Sequence, residues 1–270
     1  ACFLIITLLS FSVRTFVYNR EARRVAAISS IEQPPAGIFA PFTIESAMAF
    51  NYASRIASGK ENFLGRDNRL AGLENMDVDR QFNVGNEYFL GYGYRLKKMI
   101  LGASPLKEGD MMYEDDPYFS NWLRFQLRLW TSAASGLIFL WLLAAGCPLP
   151  LAIAGGILHC ISPAAIARYT AQDIVGEEFT LPLLAAAFAI SAYYMRRPSA
   201  VKLLFFFVFS FLSIATWDMT QVVFSFWALI EISRILFGGS SGMARRKIWF
   251  VLFFSSLLSA LVIPYHREHS

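Results

Sequence analysis

The sequence of 270 residues is poor in cysteine, and it has neither a CxxC pair nor the GxGxxG, P-loop and HExxH motifs of soluble enzymes. Its three cysteines, Cys2, Cys147 and Cys160, lie in or beside apolar segments, which indicates unpaired thiols rather than disulfides or metal ligands. Without these motifs, the sequence does not indicate a soluble nucleotide-binding protein or an HExxH hydrolase.

Apolar residues dominate the composition. They make up 56% of the chain and give a mean hydropathy of +0.44, whereas a soluble domain has about 45–50% apolar residues. Charged residues are concentrated in residues 14–128 and in short clusters between long apolar runs, because ionisable groups are costly in hydrocarbon. The net charge of +4 does not predict a nucleic-acid partner, since the basic residues form no dense stripe. The composition predicts an integral membrane protein.

The apolar runs set the fold class, because a membrane helix needs about 20 mostly apolar residues. We expect an all-α integral membrane protein with about seven transmembrane helices in one module, residues 1–270. The chain opens inside the first run without a methionine, so we expect it to be a fragment of a longer protein. The runs cover about 1–18, 131–147, 149–167, 178–195, 201–217, 219–237 and 247–264.

Basic residues in two short loops predict the orientation. The loops at 196–202 and 240–247 contain Lys and Arg without Asp or Glu, and such loops stay on the cytoplasmic side. The long loop at 19–120 and the loops at 168–178 and Trp217-Asp218 are then extracytoplasmic. Within the long loop, Glu45–Gly59 and Asn86–Leu101 have the pattern of amphipathic helices suited to a membrane interface.

Acidic residues of the extracytoplasmic loops are the candidate site. Glu45 lies in an apolar setting soon after the first span, where a carboxylate can act as a general base or bind a metal, or simply complement a helix dipole. Asp173 and Glu177 are four residues apart and share a helix face with Glu178 nearby, although a solvated hairpin loop explains them equally well. Asp218 is either a further member of the site or a helix cap.

His159 lies within an apolar run, where helix packing or hydrogen bonding is expected ahead of metal binding.

The order of spans and loops resembles the GT-C glycosyltransferases, the group with protein O-mannosyltransferases and oligosaccharyltransferase catalytic subunits. The first motif of that group is an acid followed by a helix, as in Glu45-Ser46-Ala47 through Ile56-Ala57-Ser58-Gly59 after a first span that ends near Arg14. The second is S-P-x-x-x-x-R-Y-x-x-x-D, which Ser162-Pro163 through Arg168-Tyr169 to Asp173 matches. Val175 departs from the oligosaccharyltransferase pattern of two acids, of which only Glu177 is kept.

The resemblance implies transfer of a sugar from a polyprenyl-phosphate-linked donor in the membrane to a protein or glycolipid acceptor. It implies acceptor activation by Glu45 and Asp173, support or metal binding by Glu177, Glu178 and Asp218, and phosphate binding by Arg168. A divalent cation, Mg²⁺ or Mn²⁺, is the cofactor it allows. The alternatives are a non-catalytic membrane scaffold subunit and, less favoured because the acids avoid mid-span positions, a transporter.

Overall fold

The computed structural model describes residues 1–28, 44–59, 62, 64, 66–67, 76–78, 84–101, 117–162, 176–217, 219–237 and 242–263. Within them the chain forms nine α-helices and one antiparallel pair of two-residue strands, β1 (Arg66–Asp67) with β2 (Met76–Asp77). The helices are α1 (Cys2–Ile28), α2 (Ile44–Ser58), α3 (Gly85–Leu101), α4 (Pro117–Ala145), α5 (Leu149–Ile161), α6 (Gly176–Arg196), α7 (Ala200–Thr216), α8 (Met219–Leu236) and α9 (Met243–Val262).

Three stretches of the described chain are long and apolar enough to cross a membrane, namely Cys2–Arg20, Trp122–Ala145 and Phe179–Arg196. Shorter apolar helices cover Leu149–Ile161, Ala200–Thr216 and Met219–Ile230. Each of the seven predicted runs overlaps one helix, and three of these helices contain a stretch with the length and composition of a membrane span.

Helix α4 lies at the centre of the bundle, in contact with α1, α5 and α6, while α7 packs between α6 and α9. Small residues allow the close approach. A Cβ atom on Gly136 of α4 would lie 2.4 Å from Thr7 Oγ1 of α1, and one on Gly156 of α5 would lie 3.1 Å from the Ser135 carbonyl oxygen. Small residues at helix contacts are the usual packing solution in membranes, because lipid supplies no hydrophobic force between helices.

The amphipathic helices α2 and α3 confirm the two segments expected in the long loop. They pack against each other, and Gly91 of α3 lies where a Cβ atom would come 2.6 Å from Ile56 Cβ. Their apolar faces share one core with the start of α4 and α6. That core includes Phe50, Ala53, Leu90, Tyr94, Phe119, Leu123, Phe179 and Leu183.

Two boundaries differ from the sequence prediction. Helix α5 ends at Ile161 rather than near 167, and Ser162 has an extended backbone (ψ 129°) because the following Pro163 disfavours the α-helical conformation. The candidate span on α1 runs to Arg20 and the helix continues to Ile28, so Arg14 lies within the span and not near its end.

Candidate functional site

The predicted site residues lie at the edges of the described chain. Glu45 is in the first turn of α2, and Glu177 and Glu178 are in the first turn of α6, but their side chains fall outside the described residues. Arg168, Asp173 and Asp218 also fall outside them. The convergence of these side chains on one reaction centre therefore stays a prediction.

The helix ends next to the predicted loops nevertheless meet at Thr216, the last residue of α7. Its hydroxyl oxygen lies 2.6 Å from that of Thr180 in α6. Asn86 at the start of α3 donates its side-chain amide to the Thr216 carbonyl oxygen at 3.1 Å. We call Asn86, Thr180 and Thr216 the Thr216 junction, and all three are buried.

The junction brings segments that are far apart in the sequence into contact. Asn86 belongs to the first predicted loop, Thr180 follows Glu178 by two residues, and Thr216 precedes Asp218 by two. Close backbone contact supports the arrangement, since a Cβ atom on Gly85 would lie 2.0 Å from the Ala215 carbonyl oxygen. Described helix ends that border the three loops predicted to be extracytoplasmic therefore meet at one place in the fold.

Glu87, next to the junction in the first turn of α3, is a functional candidate that the sequence pattern does not single out. Burial raises the pKa of its carboxyl group to about 7, partly offset by a hydrogen bond from its own backbone N–H. Its Oε2 atom is shielded from solvent and has no hydrogen-bond partner in the described part of the chain. A carboxyl group with a pKa near neutrality can accept or deliver a proton at physiological pH.

Aromatic contacts place the first turns of α3 against the start of α6. The centres of the Phe89 and Phe179 rings lie 4.7 Å apart, and Phe179 directly follows Glu178 in the sequence. Trp130 of α4 donates its indole N–H to the Phe179 carbonyl oxygen at 2.7 Å. In the sequence, Glu87 looks like an ordinary acid complementing a helix dipole, and nothing in the local pattern indicates its raised pKa.

Basic side chains gather between α1 and α4. Arg124 Nη1 donates to the Tyr18 hydroxyl at 2.7 Å, and the Arg128 guanidinium lies 4.6 Å from the centre of the Tyr18 ring. Arg128 Nε also donates to the Arg124 carbonyl oxygen at 3.1 Å. We call Arg124 and Arg128 around Tyr18 the arginine pair. Guanidinium groups bind phosphate oxygens through paired hydrogen bonds, so this pair is a candidate phosphate site.

One turn before Tyr18 on α1, Arg14 is buried with 1% of its surface exposed. Its Nε donates to Ser10 Oγ at 3.1 Å, and the Ser10 hydroxyl lies 3.0 Å from that of Ser135 in α4. The Ser135 hydroxyl in turn lies 3.0 Å from His159 Nδ1 in α5. This polar chain links three helices and confirms His159 as a hydrogen-bonding residue.

No group of three or more His, Cys, Asp or Glu side chains that could hold a metal occurs among the described residues. The carboxylates expected to bind a divalent cation lie outside that part of the chain, so the cation stays a prediction. In comparisons with known proteins, no family matches the chain and no curated protein matches it in sequence.

Proposed function

We propose that this chain is the GT-C-like transmembrane module of a membrane glycosyltransferase, with about seven spans. It moves a sugar from a polyprenyl-phosphate-type carrier to a protein or glycolipid acceptor on the extracytoplasmic side. The Thr216 junction is the observation that supports this most, because a reaction centre is assembled from residues far apart in the sequence. The junction joins segments next to Glu178 and Asp218 to the loop that carries Glu45.

The arginine pair supports the lipid-linked donor. It lies near the start of α4, on the candidate span Trp122–Ala145, where a phosphate anchored by a membrane lipid can reach it. Two guanidinium groups one helical turn apart stabilise a phosphate more strongly as it gains charge on leaving the sugar. In this proposal the pair acts together with Arg168, which the sequence predicts as phosphate-binding.

In the proposed reaction, the bond between the anomeric carbon and the carrier phosphate oxygen breaks with its electron pair going to the phosphate. The acceptor oxygen or nitrogen forms a bond to the same carbon and loses its proton to a carboxylate. We assign the proton acceptor to Glu45 or Asp173. Glu177, Glu178 and Asp218 orient the acceptor or hold a divalent cation, and Glu87 is a further carboxyl group able to exchange protons nearby.

Substitution of the arginine pair tests its proposed role in binding the donor phosphate. In membranes containing the full-length protein, transfer of labelled sugar from polyprenyl phosphate is measured for the Arg124→Gln/Arg128→Gln variant. We expect a loss of about tenfold or more, because hydrogen bonds to charged groups contribute about 1.5–3 kcal/mol each. Arg246→Gln/Lys247→Gln, which removes two exposed charges near the start of α9, is the matched control. Equal transfer by the two variants contradicts the assignment.

One observation favours transport as the second candidate function. The polar chain of Arg14, Ser10, Ser135 and His159 lies within apolar helices, where ionisable groups mark ion or proton paths. Proteoliposomes containing a pH-sensitive dye test it. A proton flux in the wild type that Ser135→Ala abolishes supports transport, whereas no flux above protein-free vesicles leaves the chain with a structural role.

A further inference from the structure

A groove of about 500 Å³ lies between α4, α6 and α7. Its walls are apolar, formed mainly by Leu137, Leu140, Leu143, Ala189, Phe205 and Phe209. Arg196 and Lys202 line one end of it. The volume is in the range of about 300–1,000 Å³ that is usual for small-molecule sites, and the combination of apolar walls with a cationic end suits an amphiphile.

The length of the groove matches one leaflet of a bilayer. Its lining residues on α6 run from Ala186 to Arg196, which corresponds to about 15 Å at 1.5 Å per residue. The hydrocarbon core of a membrane is about 30 Å thick, so the groove reaches from the membrane surface to about the midplane. A lipid acyl chain of that leaflet has the same reach.

The two cations at the groove end have no acid beside them in the sequence. There is no Asp or Glu between residues 117 and 172 or between 179 and 217, which covers α4, α7 and the groove portion of α6. The Lys202 ammonium donates to the Arg197 carbonyl oxygen at 2.6 Å and lies 4.2 Å from the centre of the Tyr193 ring. An ammonium group has three donors, so this bond leaves two for an anion.

Arg196 is held over the turn between α4 and α5. Gly146 in that turn has φ +106°, and a Cβ atom there would lie 2.8 Å from Arg196 Nη2. The guanidinium therefore lies at the level of the helix ends, where a lipid phosphate lies in a membrane. Its side chain is exposed and can donate to such a phosphate.

We propose that the groove binds one acyl chain of an anionic glycerophospholipid, with the lipid phosphate held between Arg196 and Lys202. Charge complementarity selects an anionic headgroup, and the apolar walls accept the chain. The polyprenyl-phosphate donor is a poor occupant. Its phosphate is needed at the arginine pair, and Arg128 lies about 24 Å along α4 from Ala144, which lines the groove.

Native mass spectrometry of the full-length protein tests the site, with phosphatidylglycerol and phosphatidylcholine of identical acyl chains as probes. We expect the wild type to retain one phosphatidylglycerol and to release phosphatidylcholine. Arg196→Gln/Lys202→Gln should weaken phosphatidylglycerol retention on the order of tenfold or more, since each basic residue near an anionic headgroup contributes about 1 kcal/mol. Arg246→Gln/Lys247→Gln, with the same loss of charge outside the groove, should retain the lipid.

A second variant tests the apolar part of the site. Ala189→Trp fills the groove and leaves both cations in place, so it should also lose the bound lipid. Equal retention by the wild type and the Arg196→Gln/Lys202→Gln variant overturns the proposal, as does equal retention of the two lipids, unchanged retention in Ala189→Trp, or a lipid-free dimer that covers this face. The measurement is lipid retention, which does not depend on sugar transfer. Failure of the lipid-binding proposal can therefore be distinguished from failure of the proposed function.

Discussion

The hydroxyl oxygens of Thr180 and Thr216 lie 2.6 Å apart at the ends of two antiparallel helices. Thr216 donates its own hydroxyl proton to the Leu212 carbonyl oxygen at 2.8 Å, which makes Thr180 the donor of the pair. Both side chains are buried, so the hydrogen bond fixes the end of α7 against the start of α6 without competition from water. The contact joins two helix ends that border Glu178 and Asp218 in the sequence.

Thr180→Val keeps the shape of the side chain and removes the donor. We expect it to lower the free energy of unfolding by about 0.5–1.5 kcal/mol, the usual net contribution of one hydrogen bond. Thermal unfolding of the purified protein in detergent measures the change. The control is Ser225→Ala, because the exposed Ser225 hydroxyl donates within its own helix, to the Gln221 carbonyl oxygen at 2.8 Å. Equal melting temperatures for Thr180→Val and the control would show that the contact contributes nothing.

Gly85→Ala tests the close approach of α3 to α7. The added methyl group would lie 2.0 Å from the Ala215 carbonyl oxygen, a backbone atom that can move only if the helix end moves. Overpacking of this kind costs about 1–3 kcal/mol, so we expect a lower melting temperature and reduced sugar transfer. Gly242→Ala is the matched control, since in the described part of the chain the added methyl group has no neighbour within 4 Å beyond its own local backbone. Wild-type melting and transfer in Gly85→Ala would refute the packing described for the junction.

The raised pKa of Glu87 predicts a pH dependence of stability. At pH values between the unfolded pKa of 4.5 and the folded pKa of about 7, the carboxyl group of the native protein keeps a proton that the unfolded chain releases. Stability therefore falls as the pH rises through this window. Glu87→Gln removes this titration. The melting temperature of the variant minus that of the wild type should therefore increase from pH 4.5 to pH 7.5. A constant difference between the two proteins across that range would mean that Glu87 is not protonated by burial.

The orientation is tested by labelling in a variant without Cys2, Cys147 and Cys160. Ser58 and Ser199 are both exposed, at the end of α2 and before α7 respectively. We expect a membrane-impermeant maleimide added to intact cells to label Ser58→Cys and to leave Ser199→Cys unmodified, because basic loops stay cytoplasmic. Labelling of Ser199→Cys from outside reverses the orientation and moves the predicted site to the cytoplasmic face.

The sequence predicted the positions of the helices well, because hydrophobic pattern decides them. The segment Asn86–Leu101 is found as Gly85–Leu101, a difference of one residue at its start. The end of α5 was predicted wrongly, since the apolar run continues past Ser162 while Pro163 makes the preceding residue extended. Composition alone does not show which of these two effects decides a helix end.

The contacts between distant segments could not be predicted from the sequence. Nothing local to Asn86 indicates that its amide bonds to the carbonyl of a residue 130 positions away. The burial of Glu87 and the packing of Arg128 on Tyr18 likewise depend on how helices associate, which periodicity does not specify. The spacing of Arg124 and Arg128 at i and i+4 was the available signal that both lie on one helix face.

Sugar transfer by an Asp173→Asn variant tests the central claim most directly. The change keeps the shape of the side chain and removes the charge needed for acceptor activation or metal binding. In membranes with equal amounts of full-length protein, transfer of labelled sugar from polyprenyl phosphate should fall by about 10²-fold or more, the range for lost acid–base catalysis. Glu178→Gln, the control at a supporting position, should cost much less. Equal transfer by Asp173→Asn and the wild type would remove Asp173 from the mechanism and contradict the proposed catalytic site.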